Sequence, residues 1–586
     1  MPAHFVTSLS RGLLPRVSAL LILAFLLAFS SGAAADSAPP EVEAEAAVEE
    51  LVQNAESNAP AAPEKGTLKA TIDAGVEKVS KVISDVLFFD ISFGAFESPM
   101  IDWDTREPVL DENGQPDSQH QPLPLIVVTL VFGGVFFTFF YRFINIRAFK
   151  HSIDVIRGKF DRDEDEGEVS HFRALTSALS ATVGLGNIAG VAIAVSVGGP
   201  GAVFWMLLTA VFGMSSKFSS CTLALMYRKV NADGSISGGP MYYLDLGMKE
   251  MGGFFRPLGK TLAVLFAIMA VGGALGGGNL FQANQSYAVV EYVFGFDSDF
   301  ASYLYGFVAA LMVGVVILGG IKRIGAATSR IVPVMAVVYV LACLFVIGVN
   351  FRQIPHAFSL IFTEAFSSQA LYGGFIGVLV QGVRRAAFSN EAGMGSAAIA
   401  HAAARTKEPI REGIVGMIEP FVDTIVICTM TALVVIVSGV YDLHGAERAV
   451  LFTDTHGAQE GAVLTAVAFQ QVISWFPYIL AMAVVLFAYS TMISWCYYGE
   501  RGWIYLLDHF GGSGLRTVII FRIFFVFCVF IGAVANLGPV LDLSDALFLS
   551  MAFPNILGSM FLAPKVLRHL KDYWGRYQRG EMQPEQ

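Results

Sequence analysis

The 586-residue sequence predicts an all-α integral membrane protein of eleven transmembrane helices: one N-terminal helix, then two five-helix repeats of opposite insertion, each beginning with a broken helix. Three observations carry this. Hydrophobic residues make up 54% of the chain and charged residues 15%, with a mean hydropathy of +0.59, whereas soluble chains carry about 25% charged residues. Eleven apolar windows are long enough for the hydrocarbon core, which needs ~20 residues per helix. Glycines interrupt the first window of each half.

At the N-terminus, Arg11 and Arg16 precede the apolar run Ala19 to Phe29 and a small-residue stretch ending near Ala35. Residues 1–35 therefore read as a secretory signal peptide. Residues 36–67 hold eight acids (Asp36, Glu41, Glu43, Glu45, Glu49, Glu50, Glu56, Glu64) against Lys65 alone, so they account for most of the net charge of −11. Such a segment buries too little apolar surface to offset its ordering entropy and reads as disordered and extracytoplasmic. The chain offers no basic stripe for nucleic acid. Its five cysteines lie in apolar runs without CxxC spacing, which implies neither a disulfide framework nor a zinc site.

Residues 68–121 begin with Leu68, Ile72, Val76, Val79, Ile83 and Leu87 at helical spacing, the pattern of an amphipathic helix, followed by a loop. The spans follow at 122–145, 172–197, 201–227, 257–288, 299–320, 326–349, 370–400, 412–440, 475–507, 515–537 and 540–565. They group as a first helix and cytoplasmic linker (122–168), a first repeat (169–349), an outer connection (350–369), a second repeat (370–565) and a cytoplasmic tail (566–586). Arg142, Arg147, Lys150, Arg157 and Lys159 follow the first span, and basic residues recur at every second loop, which puts the C-terminus in the cytoplasm and the N-terminal segment outside, in the cell (inner) membrane.

Five is odd, so the two halves enter from opposite sides. The interruptions are Gly184, Gly186 and Gly190 in the first half, and Gly373, Gly374 and Gly377 in the second. A break strands N–H and C=O groups in lipid and is tolerated only where a cavity, ion or polar ligand satisfies them. Half-helix N-termini suit a carboxylate and stranded carbonyls suit a cation, so paired breaks mark a site for a small zwitterion and a hard monovalent ion near the midplane. A membrane-embedded enzyme would need His, Cys or paired carboxylates in mid-span. His171 and His401 stand at span ends, and neither HExxH nor GxSxG occurs. A channel would need a charged ring or carbonyl-filter repeat, which is missing.

The segments Ala181-Thr-Val-Gly-Leu-Gly-Asn-Ile-Ala-Gly-Val-Ala192, Gly198-Gly-Pro-Gly-Ala-Val-Phe-Trp-Met206, Gly238-Gly-Pro-Met-Tyr-Tyr243, Gly319-Gly-Ile-Lys-Arg-Ile324 and Gln381-Gly-Val-Arg-Arg-Ala-Ala-Phe-Ser-Asn-Glu-Ala-Gly-Met-Gly-Ser396 resemble the alanine or glycine:cation symporter family over roughly residues 122 to 565. The resemblance implies a LeuT-type fold and a secondary symporter that takes up a small neutral amino acid, alanine or glycine, with sodium as the co-transported ion and no organic cofactor. Proton coupling, or a different neutral amino acid such as glutamine or serine, is the alternative on the same fold.

By the same resemblance, sodium would sit between the backbones of Ser180 and Val183 and the side chains of Ser490 and Thr491, with a second ion near Thr182 and Asn187. Substrate contacts would come from Gly184, Gly186 and Asn187, from Asn279 and Gln282 on one helix face, from the second break at Gly374, Phe375 and Gly377, and from Trp495 closing the cavity. Relatives often carry Thr where this chain has Leu185, so a hydroxyl contact to substrate is missing here. The charged residues near spans, Lys217, Arg384, Arg385, Glu391, Glu419 and Asp423, should be paired. Lys217 should meet Asp423 or Glu419, and Arg384, Arg385 and Glu391 should lie toward the cytoplasmic end of their helix.

Overall fold

The computed structural model describes residues 68–99, 118–161, 165–231, 236–296, 298–318, 320–366, 374–442 and 461–582. The expected signal peptide and acidic segment lie outside the described residues. The main helices are α1 (Leu68–Leu87), α2 (Leu125–Phe140), α3 (His171–Thr182), α4 (Val191–Gly198), α5 (Gly201–Met226), α6 (Phe255–Leu275), α7 (Phe281–Phe294), α8 (Asp299–Ile317), α9 (Gly320–Val349), α10 (Gly374–Asn390), α11 (Ala397–His401), α12 (Pro409–Gly416), α13 (Thr429–Ser438), α14 (Gly461–Gln470), α15 (Phe476–His509), α16 (Gly514–Val534), α17 (Leu537–Leu549) and α18 (Ala552–Gln578). Among the described residues, seven helices are long and apolar enough to cross a bilayer, and up to nine if each of two bent pairs counts as one span. The fold is thus all-α and membrane-spanning, as the composition predicts.

Amphipathic α1 turns Val76 and Ser80 inward, while Val79 and Val82 remain exposed. It is pinned to the start of α17 by Asp73, whose two carboxylate oxygens accept from the backbone N and the Nδ2 of Asn536 at 2.8 and 2.9 Å. Below α1, Asp90 gathers Ser92, the backbone N of Leu123 and His120, which fastens the following loop to the entry of α2.

The first interruption is where the sequence puts it. Helix α3 ends at Thr182, a short π-helical stretch covers Gly186–Gly190, and the helical pieces on either side are bent by 55°. Every residue from Ala181 to Gly190 is buried. Gly199 then adopts φ +68° ahead of Pro200, so the Gly-Gly-Pro run turns the chain into α5.

The second interruption corrects the sequence reading. Gly373 lies outside the described residues, and Gly377 does not break a helix: α10 begins at Gly374 and runs unbroken past Gly377 to Asn390. The break follows it, over residues 391–396, where Glu391, Gly393 and Gly395 have φ of 56°, 86° and 85°. Glycine alone costs a helix only about 1 kcal/mol and leaves its hydrogen-bond ladder intact. At 391–396 the ladder yields because side chains replace it, Asn390 Oδ1 accepting the Ala392 N–H at 2.9 Å and Glu391 accepting the Ser396 hydroxyl. A Cβ on Gly395 would meet Asn555 and Pro240 at 2.8 Å, so only glycine fits that turn.

Arg384 and Arg385 of α10 share one acid. Both pair with Asp545 of α17, and the Arg384 guanidinium lies 4.6 Å over the ring of Phe88, next to α1. Arg384 therefore stands close to the end of α1. Lys217 pairs with Glu419, not with Asp423.

Candidate functional site

The break after Thr182 is enclosed by α7, α10, the π-helix Phe421–Cys428 and α15. Past Thr182 the ladder stops, and Val183 (φ −75°, ψ 91°) turns its carbonyl out of helical register. The freed N–H groups then find side-chain oxygens. Gly184 N donates to Asn187 Oδ1 at 2.9 Å, and Leu185 N donates to Gln282 Oε1 at 3.2 Å. A Cβ on Gly184 would lie 2.4 Å from Thr491 Oγ1, so a side chain there collides with that hydroxyl, and one on Gly186 would lie 3.1 Å from Ser389 Cα, so the two backbones approach closely.

On one side of this break, oxygens converge from α3 and α15. Thr491 Oγ1 donates to Ser180 O at 3.3 Å, Ser180 Oγ donates to Ser490 O at 3.2 Å, and Ser494 Oγ donates to Ser180 Oγ at 2.9 Å. The Ser490 hydroxyl bonds back to Phe487 O at 2.9 Å within its own helix. All four side chains are buried. The structure thus brings Ser180, Ser490 and Thr491 together, and adds Ser494, which sequence reasoning missed although it stands four residues, one turn, beyond Ser490. This set of hydroxyls and carbonyls suits a hard cation.

The other side is lined by aromatic and amide groups. Trp495 is 1% exposed and covers Gly278, whose Cβ would be 2.4 Å from the indole Cγ. Its ring packs on Phe548 at 4.6 Å and its Nε1 donates to Glu391 Oε1 at 3.2 Å. Phe388 links Phe548 and Phe281 at centroid distances of 4.8 and 5.0 Å and reaches within 3.6 Å of the Gly186 Cβ position. Of Asn279, Gln282 and Asn284, Gln282 is the one that reaches the break. Asn279 and Asn284 instead donate to Phe525 O and Ala535 O, at 2.7 and 2.6 Å, and so tie α7 to the α16 end of the bundle.

Three expected residues stand apart from this arrangement. Gly374, Phe375 and Gly377 lie at the start of α10, about 20 Å along the helix from Ser389 at 1.5 Å per residue, and Phe375 packs on Trp205 and Phe366 at the periphery. Thr182 and Asn187, the residues expected near a second ion, make separate hydrogen bonds. The Thr182 hydroxyl turns back to Ala178 O, while Asn187 Nδ2 reaches Asp423 Oδ1 at 2.6 Å.

Beside the break lies a chain of buried charges. His171 bonds Glu412, Glu412 bonds His401 Nδ1 at 2.5 Å, His401 Nε2 bonds Glu419, and Glu419 bonds Lys217. The histidines stand at helix ends, as the sequence indicates, yet both are wholly buried. Helix position fixed their distance along the axis, and only packing closed the ends over.

A family model described as the sodium:alanine symporter family matches residues 116–586. The sodium/alanine symporter AgcS of Methanococcus maripaludis is 42% identical over 451 residues, covering 77% of this chain and 94% of that protein. The probable sodium/glutamine symporter GlnT of Bacillus subtilis is 34% identical over 461 residues, covering 78% and 89%. Among solved structures, MhsT in complex with L-phenylalanine aligns with a TM-score of 0.48 at 13% identity, over 67% of this chain and 88% of that one.

Proposed function

This chain belongs to the sodium:alanine symporter family, and from that premise we propose that it couples inward sodium movement to uptake of a small neutral amino acid, alanine or glycine, by alternating access. It is a multi-pass membrane transporter and not an enzyme, as the family and its relatives are. The observation that carries the substrate reading is the buried break at residues 183–185, whose freed N–H groups are held by side-chain amides at a place where a carboxylate can replace them.

In this reading the eleven spans form one helix plus a five-plus-five inverted repeat, with α3/α4 and α10/α11 as the paired broken helices. The C-terminus is cytoplasmic, and α1 with the segment before it is extracytoplasmic. Sodium is held by the Ser180 and Val183 carbonyls with the Ser490 and Thr491 hydroxyls. The amino acid presents its carboxylate to the backbone at Gly184 and Gly186, and Trp495 with Phe388 limits its side chain to a small group. Sodium fixes the break in the shape that receives the carboxylate, so the two bind with positive coupling. Asn187 and Gln282 hold the Gly184 and Leu185 N–H groups of the same break when substrate leaves, which avoids stranding them in an apolar surround.

The test is uptake of radiolabelled alanine into proteoliposomes holding the purified full chain. Accumulation that requires an inward sodium gradient supports the reading, and accumulation indifferent to sodium overturns it. A competition series across neutral amino acids then ranks alanine and glycine against glutamine and serine.

A further inference from the structure

Where α15 ends and α16 begins lies a cavity of about 550 Å³ that the transport site does not use. Its walls come from the antiparallel strands Lys229–Val230 and Ile236–Ser237, the helix Pro240–Met251, the last turns of α15 and the first turn of α16. Lys229 and Arg501 line it together with Asp245 and Asp508, and none of the four makes an ion pair among the described residues. Asp245 Oδ2 accepts the Tyr505 hydroxyl at 3.2 Å and Asp508 Oδ1 accepts the Gly514 N–H at 2.8 Å, so neutral donors hold both acids in place. The Arg501 guanidinium lies 4.7 Å over the ring of Tyr497, with its Nε buried and without a hydrogen-bond partner. Two cations and two acids that share one cavity without pairing complement a molecule carrying both signs.

The surroundings indicate a lipid. Leu515, which lines the cavity, heads a row of exposed apolar residues at four-residue spacing, Ile519, Ile523 and Phe527, on a helix long and apolar enough to cross the bilayer. That row lies against acyl chains. Trp503, whose Nε1 donates to Thr517 Oγ1 at 3.2 Å, stands between Arg501 and Tyr505 along α15, and Tyr505 meets Tyr242 edge to face at 5.5 Å in the cavity wall. Tyr and Trp collect at the headgroup layer. The cavity thus continues a lipid-facing stripe at headgroup depth, and its volume falls within the range of about 300–1,000 Å³ usual for small-ligand sites.

We propose that this cavity binds the headgroup of a phospholipid carrying a primary ammonium, a phosphatidylethanolamine, with one acyl chain along the α16 stripe. Arg501, through its free Nε, and Lys229 take the phosphate, while Asp245 and Asp508 take the ammonium, whose N–H groups need acceptors. A phosphatidylglycerol leaves both acids unmet, and a phosphatidylcholine brings a cation with no N–H to give them. The bound lipid bridges the helix Pro240–Met251 to the corner between α15 and α16 and stabilises it. The inference needs only that α16 spans the bilayer, so it stands apart from the symporter reading.

The experiment takes the purified, delipidated full chain in detergent and adds back dioleoyl phosphatidylethanolamine, phosphatidylglycerol or phosphatidylcholine at equal concentration. It reads lipid retention by mass spectrometry of the intact protein, together with the melting temperature. Phosphatidylethanolamine should be retained in preference to the other two and should raise the melting temperature. Lys229→Gln/Arg501→Gln should weaken its retention about tenfold through loss of charge-assisted bonds to the phosphate. Asp245→Asn, which keeps an acceptor for Tyr505, should remove the preference over phosphatidylglycerol. Lys229 is exposed, so Lys229→Glu serves if the double variant does not fold, and it too should weaken retention. Equal retention of the three lipids by wild type, or unchanged retention in the Lys229 and Arg501 variants, overturns the site.

Discussion

The backbone N–H of Leu185 ends on Gln282 Oε1, 3.2 Å away across the first break, so a side-chain amide from α7 completes a peptide group that the helix has released. Gln282 is anchored in turn by its Nε2, which donates to Gly277 O at 2.9 Å. Gln282→Leu should leave a buried donor unmet and destabilise the protein by about 1–3 kcal/mol. Thermal unfolding in detergent reads that loss, and the KM for alanine should change in the same variant. A KM equal to that of wild type would separate Gln282 from the substrate region.

Thr491 and Ser490 should not be equivalent. The Thr491 hydroxyl crosses to Ser180 O, while the Ser490 hydroxyl is satisfied within its own turn. Changing both to Ala should raise the half-saturating sodium concentration, with Thr491→Ala giving the larger share. Gly184→Ala pushes a methyl into Thr491 Oγ1 and should mimic Thr491→Ala. Sodium titration of uptake checks the order.

Lys217 is the fixed positive charge of the buried chain that runs through Glu419, His401 and Glu412. Lys217→Met should cost about 3–5 kcal/mol, because it leaves buried acid uncompensated. Adding Glu419→Gln should recover part of that loss. A double-mutant cycle on melting temperature tests this, and additive effects would show that the two side chains do not act as a pair.

The loop below α1 should loosen in acid. Burial pushes the Asp90 carboxyl up, but hydrogen bonds from the Ser92 hydroxyl and N–H, the Leu123 N–H and His120 outweigh it and hold Asp90 well below the usual carboxylate range. Its folded pKa is depressed, so its contribution is fully present above the unfolded value of about 3.9 and is lost as pH falls below it. Protease cleavage near residues 88–99 should rise as pH drops through about 4, and Asp90→Asn should cleave readily at neutral pH with little further change in acid.

The bilayer class, the helical α1 and the first break were legible in the sequence because each follows from local chemistry: apolar run length, the 3.6-residue stripe of Leu68 to Leu87, and a Gly-x-Gly run beside Asn187. Ser180 and Thr491 could be paired only through a family resemblance, since 311 positions separate them. The second break was misread for a physical reason: glycine density at 373–377 marks permissiveness, whereas a helix gives way where polar side chains such as Asn390 and Glu391 take over its backbone bonds. Which charges face each other was decided by packing alone. Lys217 had two acids within plausible reach, and the fold gave it Glu419, leaving Asp423 among neutral donors, because electrostatic partnership depends on distances between helices that no one-dimensional pattern specifies.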